Sequence, residues 1–151
     1  MSLEIEIKQK EFKNEHNKVI VNLLYTYSWL EYQQKNFFKD YDLTSQQYNI
    51  LRILRGQYPN PCTINILRER MLDKMCDASR IVERLRLKDL LVRQISFNDR
   101  RAVDIVISEK GLNVLEQIDG PIAAFEENVS SLTEEEAKTL NSLLDKFRKG
   151  R

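Results

Sequence analysis

Two short runs of period-two hydrophobicity interrupt a chain whose other apolar residues recur at helical spacing. Leu91, Arg93, Ile95 and Phe97 alternate with Val92, Gln94 and Ser96. After the polar turn Asn98-Asp99-Arg100-Arg101, Val103, Ile105 and Ile107 alternate with Ala102, Asp104 and Val106. Two such runs around a short polar turn predict a β-hairpin, here with two guanidinium groups at its tip. Immediately before it, Met75 to Lys88 reads as a helix. Ala78, Ile81, Val82 and Leu85 form one stripe, with Cys76, Arg80, Glu83 and Leu87 opposite and Asp77, Ser79, Arg84 and Arg86 on the flanks. A short helix with one buried stripe and Arg and Ser turned outward suits a DNA major groove. Helix plus basic hairpin is a winged helix-turn-helix pattern.

Charge distribution supports that pattern. The chain has 151 residues and a net charge of only +1. Yet Arg68 to Arg101 holds 10 Lys+Arg against 6 Asp+Glu, whereas Glu109 to Glu136 holds 1 Lys against 8 Asp+Glu. A basic patch beside an acidic segment fits one end facing phosphate and the other turned away from it. Hydrophobic content of 42% supports a real core, and the length fits one domain, or one domain with helical extensions. Cys62 and Cys76 have no metal-ligand spacing and read as free thiols of a cytoplasmic protein. No secretory-signal pattern opens the chain, and no apolar run approaches the 18 or so residues needed to span a bilayer. With one histidine, His16, no Gly-rich phosphate loop and no nucleophile elbow, neither a catalytic triad nor a nucleotide site can be assembled. The expectation is not an enzyme, with no cofactor and no metal.

Taken in order, residues 8–40 read as one long helix without Pro or Gly, too long for one small core to cover. Part of it should bury against a second subunit or a second layer. Thr44 with Gln47 is a capping box opening a helix over 45–55. Gly56, Pro59 and Pro61 mark a loop, and Cys62-Thr63 can pair briefly with the hairpin. Thr63 should cap a helix from Ile64 to about Leu72, and Asp73 the next one. After the hairpin, Leu115, Ile118, Ile122, Phe125, Val129 and Leu132 follow heptad a/d spacing. Gly120-Pro121 should bend or break that helix. Thr133 with Glu136 caps a last helix bearing Leu140, Leu143, Leu144 and Phe147 on one face.

This order, with Ser79-Arg80-Ile81-Val82-Glu83-Arg84-Leu85, Asp99-Arg100-Arg101 and Ile107-Ser108-Glu109-Lys110-Gly111, resembles the MarR family of bacterial transcriptional regulators. The match covers about Tyr25 to Ile118 and is strongest from Leu72 to Gly111. The resemblance implies a mainly α fold with a small β-hairpin wing: a winged helix-turn-helix over 44–107, and dimerisation helices over 8–40 and 109–149. It implies a homodimer on a pseudo-palindromic operator, usually a repressor, released by a small, often aromatic effector or, in other members, by thiol oxidation. Two departures stand out. Asp89 occupies the position after the recognition helix where members usually carry Gly, and no Cys lies near the start of the first helix, where the oxidant-sensing branch keeps its reactive thiol.

Residue roles follow. Arg80 and Arg84 are expected to contact bases or phosphate, supported by Asp77 and Ser79; the alternative is surface pairing with Glu83 or Asp77. Arg100 and Arg101 suit a narrow minor groove, with Asp99 shaping the wing tip. Thr63 and Asn65 should meet phosphate, with capping as the equal alternative for Thr63. Tyr25, Trp29 and Tyr48 are candidates for an effector pocket, or are simply core. Leu115, Ile118, Ile122, Phe125, Leu140, Leu144 and Phe147 are the expected dimer contacts. The partners expected are double-stranded DNA, a second copy and a small aromatic effector, with no membrane. The competing reading is a winged-helix protein-interaction module without specific DNA binding.

Overall fold

The computed structural model describes residues 2–96 and 103–149. The expected wing-tip residues Asp99, Arg100 and Arg101 lie outside them. The elements are α1 (Leu3–Glu6), α2 (Glu15–Lys39), α3 (Ser45–Gln57), α4 (Ile64–Arg70), α5 (Ala78–Leu87), β1 (Leu91–Ile95), β2 (Val103–Ile107), α6 (Glu109–Val129) and α7 (Glu134–Arg148). The fold is mainly α with one antiparallel hairpin, as the sequence implies. The chain divides into two compact units, Met1–Glu116 and Gln117–Arg151.

In the first unit α3 is the central element, packing on α2, α4, α5 and β2. It is opened by the expected capping box, with both reciprocal Thr44–Gln47 bonds formed. Ile50, Leu51 and Leu54 are sealed beneath its neighbours, and Ile53 and Gln47 are buried too. A helix touched on several sides buries more than the single stripe of a surface helix.

α2 starts seven residues later than the sequence suggests. Asn14 accepts the Asn17 N–H at 2.8 Å and caps the helix there, while Lys8 adopts φ 55°, which no helix accommodates. The short α1 was not foreseen. It is tied to α2 by Lys18–Glu4 (2.5 Å) and by the Tyr25 hydroxyl, which donates to the Glu6 carboxylate. The Lys18 ammonium holds the Glu4 carboxyl down at about 2. Val19, Ile20, Leu24, Tyr27, Trp29 and Tyr32 remain exposed along α2.

β1 and β2 pair Leu91 with Ile107, Arg93 with Ile105 and Ile95 with Val103. Leu91, Ile105 and Ile107 point into the core, but Arg93 and Ile95 on the same face of β1 are exposed, because that strand runs out past the core. Cys62 makes the expected bridge, exchanging two 2.8 Å bonds with Ile105.

The second unit contains the C-terminal part of α6 and all of α7. Gly120-Pro121 does not end α6, which continues to Val129. The proline ring removes a single N–H donor from a ladder that is otherwise long enough to persist. The Thr133–Glu136 capping box opens α7 as expected, and none of its residues is buried.

Candidate nucleic-acid interface

The second helix of the helix-turn-helix is shorter than its hydrophobic stripe suggests. It begins at Ala78, not Met75, because Asp77 accepts the Arg80 N–H at 3.1 Å and takes the N-cap. Asp73, expected as the cap, instead accepts the Met75 N–H at 3.0 Å and shapes the turn. Cys76 therefore precedes the helix and has no place on its outward face. Ala78, Val82 and Leu85 are buried, and Ser79, Arg80 and Arg84 are exposed.

Three arginines and one glutamate settle the electrostatics of this helix. Glu83 takes Arg86 in a bidentate grip, 2.8 and 3.0 Å, and reaches Arg93 on β1 at 3.2 Å. Chiefly the Arg86 guanidinium, and then Arg93, hold the Glu83 carboxyl below the usual carboxylate range. Arg80 and Arg84 make no ion pair among the described residues. Their expected alternative partners are committed elsewhere: Glu83 to Arg86 and Arg93, Asp77 to its capping bond. Two guanidinium groups one turn apart are thus left facing solvent. Ser79 accepts from Arg68 Nη2 at 3.4 Å, which links the two helices of the motif. Thr63 caps α4 through the Ile66 N–H at 3.3 Å, and Asn65 is exposed on its first turn.

The end of α5 explains two of the sequence motifs. Asp89 adopts φ 61°. The Leu90 N–H bonds the Leu85 carbonyl at 3.0 Å and the Asp89 N–H bonds that of Arg86 at 2.9 Å, a Schellman ending with Asp in the glycine position. The Ser-x-Lys-Gly start of α6 clasps this turn. The Ser108 hydroxyl donates to the Asp89 carbonyl (2.7 Å) and accepts the Gly111 N–H (3.0 Å), while Lys110 Nζ reaches the Lys88 carbonyl at 2.8 Å. Lys88, at the helix end, pairs with the Asp42 carboxylate at 3.0 Å. That contact joins α5 to the turn closing α2. Partners 46 residues apart leave no local pattern by which spacing could reveal it.

Other expectations are redistributed. Tyr48 is core, its ring tilted against that of Phe38 with centroids 4.6 Å apart, and Tyr25 and Trp29 are exposed on α2. None of the three lines the open cavity of about 830 Å³ found among the described residues. That cavity is bounded by Glu31, Tyr32, Lys35 and Lys39 of α2, the first turn of α3, and Lys88. Leu115 and Ile118, expected at a dimer contact, are fully buried within the single chain and have no surface left for a partner. Ile122, Phe125 and Leu144 are half-buried, and Leu140 and Phe147 exposed. Burial pushes both thiols up, most simply for the sealed Cys62; Cys76 is raised further by Asp73. Neither is poised as a thiolate. Among the described residues no His/Cys/Asp/Glu cluster could hold a metal, and no helix is long and apolar enough to cross a membrane.

No family model matches the chain. The HTH-type transcriptional regulator MhqR of Bacillus subtilis is 26% identical over 128 residues, covering 84% of this chain and 87% of that protein. Among solved structures, a MarR-like transcription regulator of Bacillus cereus superposes with TM-score 0.78 at 21% identity, over 89% of this chain and 96% of the other. The organohalide-sensing RdhR regulator, in its 2,4-dichlorophenol-bound form, gives 0.79 at 21% identity over 93% and 86%. The S. aureus MepR–DNA complex gives 0.73 at 21% identity over 93% and 100%. The resemblance carried by the sequence motifs is borne out: the fold is that of the MarR-family regulators.

Proposed function

We propose that this chain, built on the MarR-family fold, is a sequence-specific double-stranded DNA-binding transcriptional repressor, working as a homodimer on a pseudo-palindromic operator. The observation that carries the reading is the state of Arg80 and Arg84. They stand exposed on the recognition helix with no ion-pair partner among the described residues, while Glu83 engages the neighbouring Arg86 and Arg93. A free guanidinium can take guanine O6 and N7 together, or a phosphate. Asp77 fixes the start of the helix, Ser79 links it to Arg68, and Thr63 and Asn65 lie where phosphate would approach α4. Arg100 and Arg101, with Asp99, enter the reading from the sequence alone, as a minor-groove contact. The likeness to a regulator solved on DNA supports this use of the motif.

The effector reading moves with the structure. A small aromatic acid or phenol would enter the cavity whose lining includes Tyr32, Lys35, Lys39 and Lys88. Its position beside the Lys88–Asp42 contact gives a ligand direct access to the end of the recognition helix. The likeness to a regulator solved with a chlorinated phenol supports that ligand class.

The test is fluorescence anisotropy against DNA upstream of the protein's own gene and, in parallel, against fragments selected from the whole genome, at two salt concentrations with scrambled DNA as control. Tight, sequence-dependent binding is expected. Arg84→Ala should weaken it at least ten-fold and lower the salt slope by about 0.9, one phosphate's worth, if its contact is to the backbone, or leave the slope alone and relax one base position if it reads a base. Equal weak binding to all DNA would favour the protein-interaction module instead.

A further inference from the structure

The two most exposed large apolar side chains among the described residues are Met75, 93% accessible, and Leu72, 87%. Both belong to the short connection between α4 and α5, immediately ahead of the Asp77 cap. Neither hangs on a loose loop. The Leu72 N–H is bonded to Asn49 Oδ1 at 3.0 Å, from α3, and the Met75 N–H to Asp73 Oδ1 at 3.0 Å. Lys74, between them, is anchored by its Nζ to the Glu69 carbonyl at 2.6 Å. The connection is therefore pinned by three side-chain bonds, and what it holds out into water is a thioether and an isobutyl group. Met71, next to Leu72, is by contrast fully buried and keeps the core closed beneath them.

Their location decides what could cover them. A recognition helix presents its N-terminal residues to base edges in the major groove. Met75 lies two residues before the N-cap of α5, at that same end, with Arg80 on the first turn beyond. The only apolar group that a major groove displays is the C5-methyl of thymine. We infer that Leu72 and Met75 form an apolar edge of the reading head that takes thymine methyl groups, giving the protein a methyl-dependent preference at bases flanking those read by Arg80 and Arg84. Met suits such a contact because its unbranched, polarizable chain adapts to the groove floor. This inference rests on the DNA-binding reading.

The probe is a genome-selected operator duplex in which each thymine is replaced in turn by deoxyuracil, which keeps every hydrogen-bonding group and removes only the methyl. Anisotropy is measured for the full-length protein, Met75→Ala and Leu72→Ala. The wild type should lose about four-fold at one or two positions per half-site, the value of one buried methyl. Met75→Ala or Leu72→Ala should lose a similar factor on the unmodified operator and become indifferent to deoxyuracil there. The salt slope should stay unchanged, since no ion is released. Both substitutions lie on exposed side chains, and unchanged thermal melting confirms intact folding. Deoxyuracil without effect at every thymine, or full sensitivity retained in both variants, overturns the inference while leaving specific DNA binding intact. Selection that recovers no operator overturns the DNA-binding reading and this inference with it.

Discussion

A Cβ placed on Gly111 would stand 2.2 Å from the Leu90 carbonyl oxygen and 2.7 Å from Ile107 Cγ1. The first neighbour is backbone within the Schellman ending of α5, and it cannot swing aside. Gly111→Ala should therefore push the start of α6 off that turn and destabilise the first unit by about 3 kcal/mol, seen as a lower urea midpoint. Asp89 poses the opposite case. At φ 61° it bears the left-handed penalty of a residue with a Cβ, so Asp89→Gly should raise stability by about 1 kcal/mol in the same assay. A fall would mean that its carboxylate contributes more than the backbone strain costs. Both effects meet at one junction, where Ser108 and Lys110 bond the carbonyls of Asp89 and Lys88. The Ser-x-Lys-Gly motif, used in the sequence only as a resemblance, thus has a physical content: hydroxyl, ammonium and bare Cα each meet one feature of the α5 ending.

Local chemistry made some elements legible and long-range chemistry hid others. The caps at Thr44, Thr63 and Thr133 were readable because donor and acceptor lie within three residues. The starts of α2 and α5 were not, since hydrophobic period continues past a helix end while Asn14 and Asp77 stop it. Nor could spacing show which arginines are free. Arg80, Arg84 and Arg86 all lie within three residues of Glu83, and only the hairpin, by bringing Arg93 alongside, completes the set. α1 was missed because four residues carry no period, and its attachment is electrostatic. That attachment yields a pH prediction. The Glu4 carboxyl, ordinarily near 4.5, is held at about 2 by Lys18. Its folded-state value is depressed, so its stabilisation is full above 4.5 and fades as pH falls towards 2. The melting temperature of the wild type minus that of Glu4→Gln should be small and positive at pH 7 and shrink between pH 5 and 3. A difference that grows on acidification would contradict the assignment.

An amphipathic helix is stable in water only when its apolar face is covered. α7 presents Leu140, Leu143 and Phe147 at 43%, 58% and 50% exposure and buries none of its residues within the chain. α2 shows the same imbalance, with Leu24, Tyr27 and Tyr32 each above half exposed. Two separate helices with uncovered stripes exceed the scattered apolar residues of an ordinary monomer surface. A second copy is the natural cover, because a two-fold axis lets one patch meet itself, and the palindromic operator proposed above would need two copies of α5 about one turn of DNA apart. Leu115 and Ile118 are already fully buried within the single chain. Light scattering at micromolar concentration should therefore return twice the chain mass. Leu143→Lys with Leu24→Lys should return a single chain mass, with circular dichroism of the first unit preserved by the sealed Ile50, Leu51, Leu54, Leu67 and Leu85. On a full palindromic operator the double variant should lose at least 100-fold in affinity, yet on an isolated half-site it should bind as weakly as the wild type's single subunit does, since Arg80 and Arg84 are untouched. A wild type that stays monomeric across the concentration range would break the link between the uncovered helices and the proposed operator's symmetry.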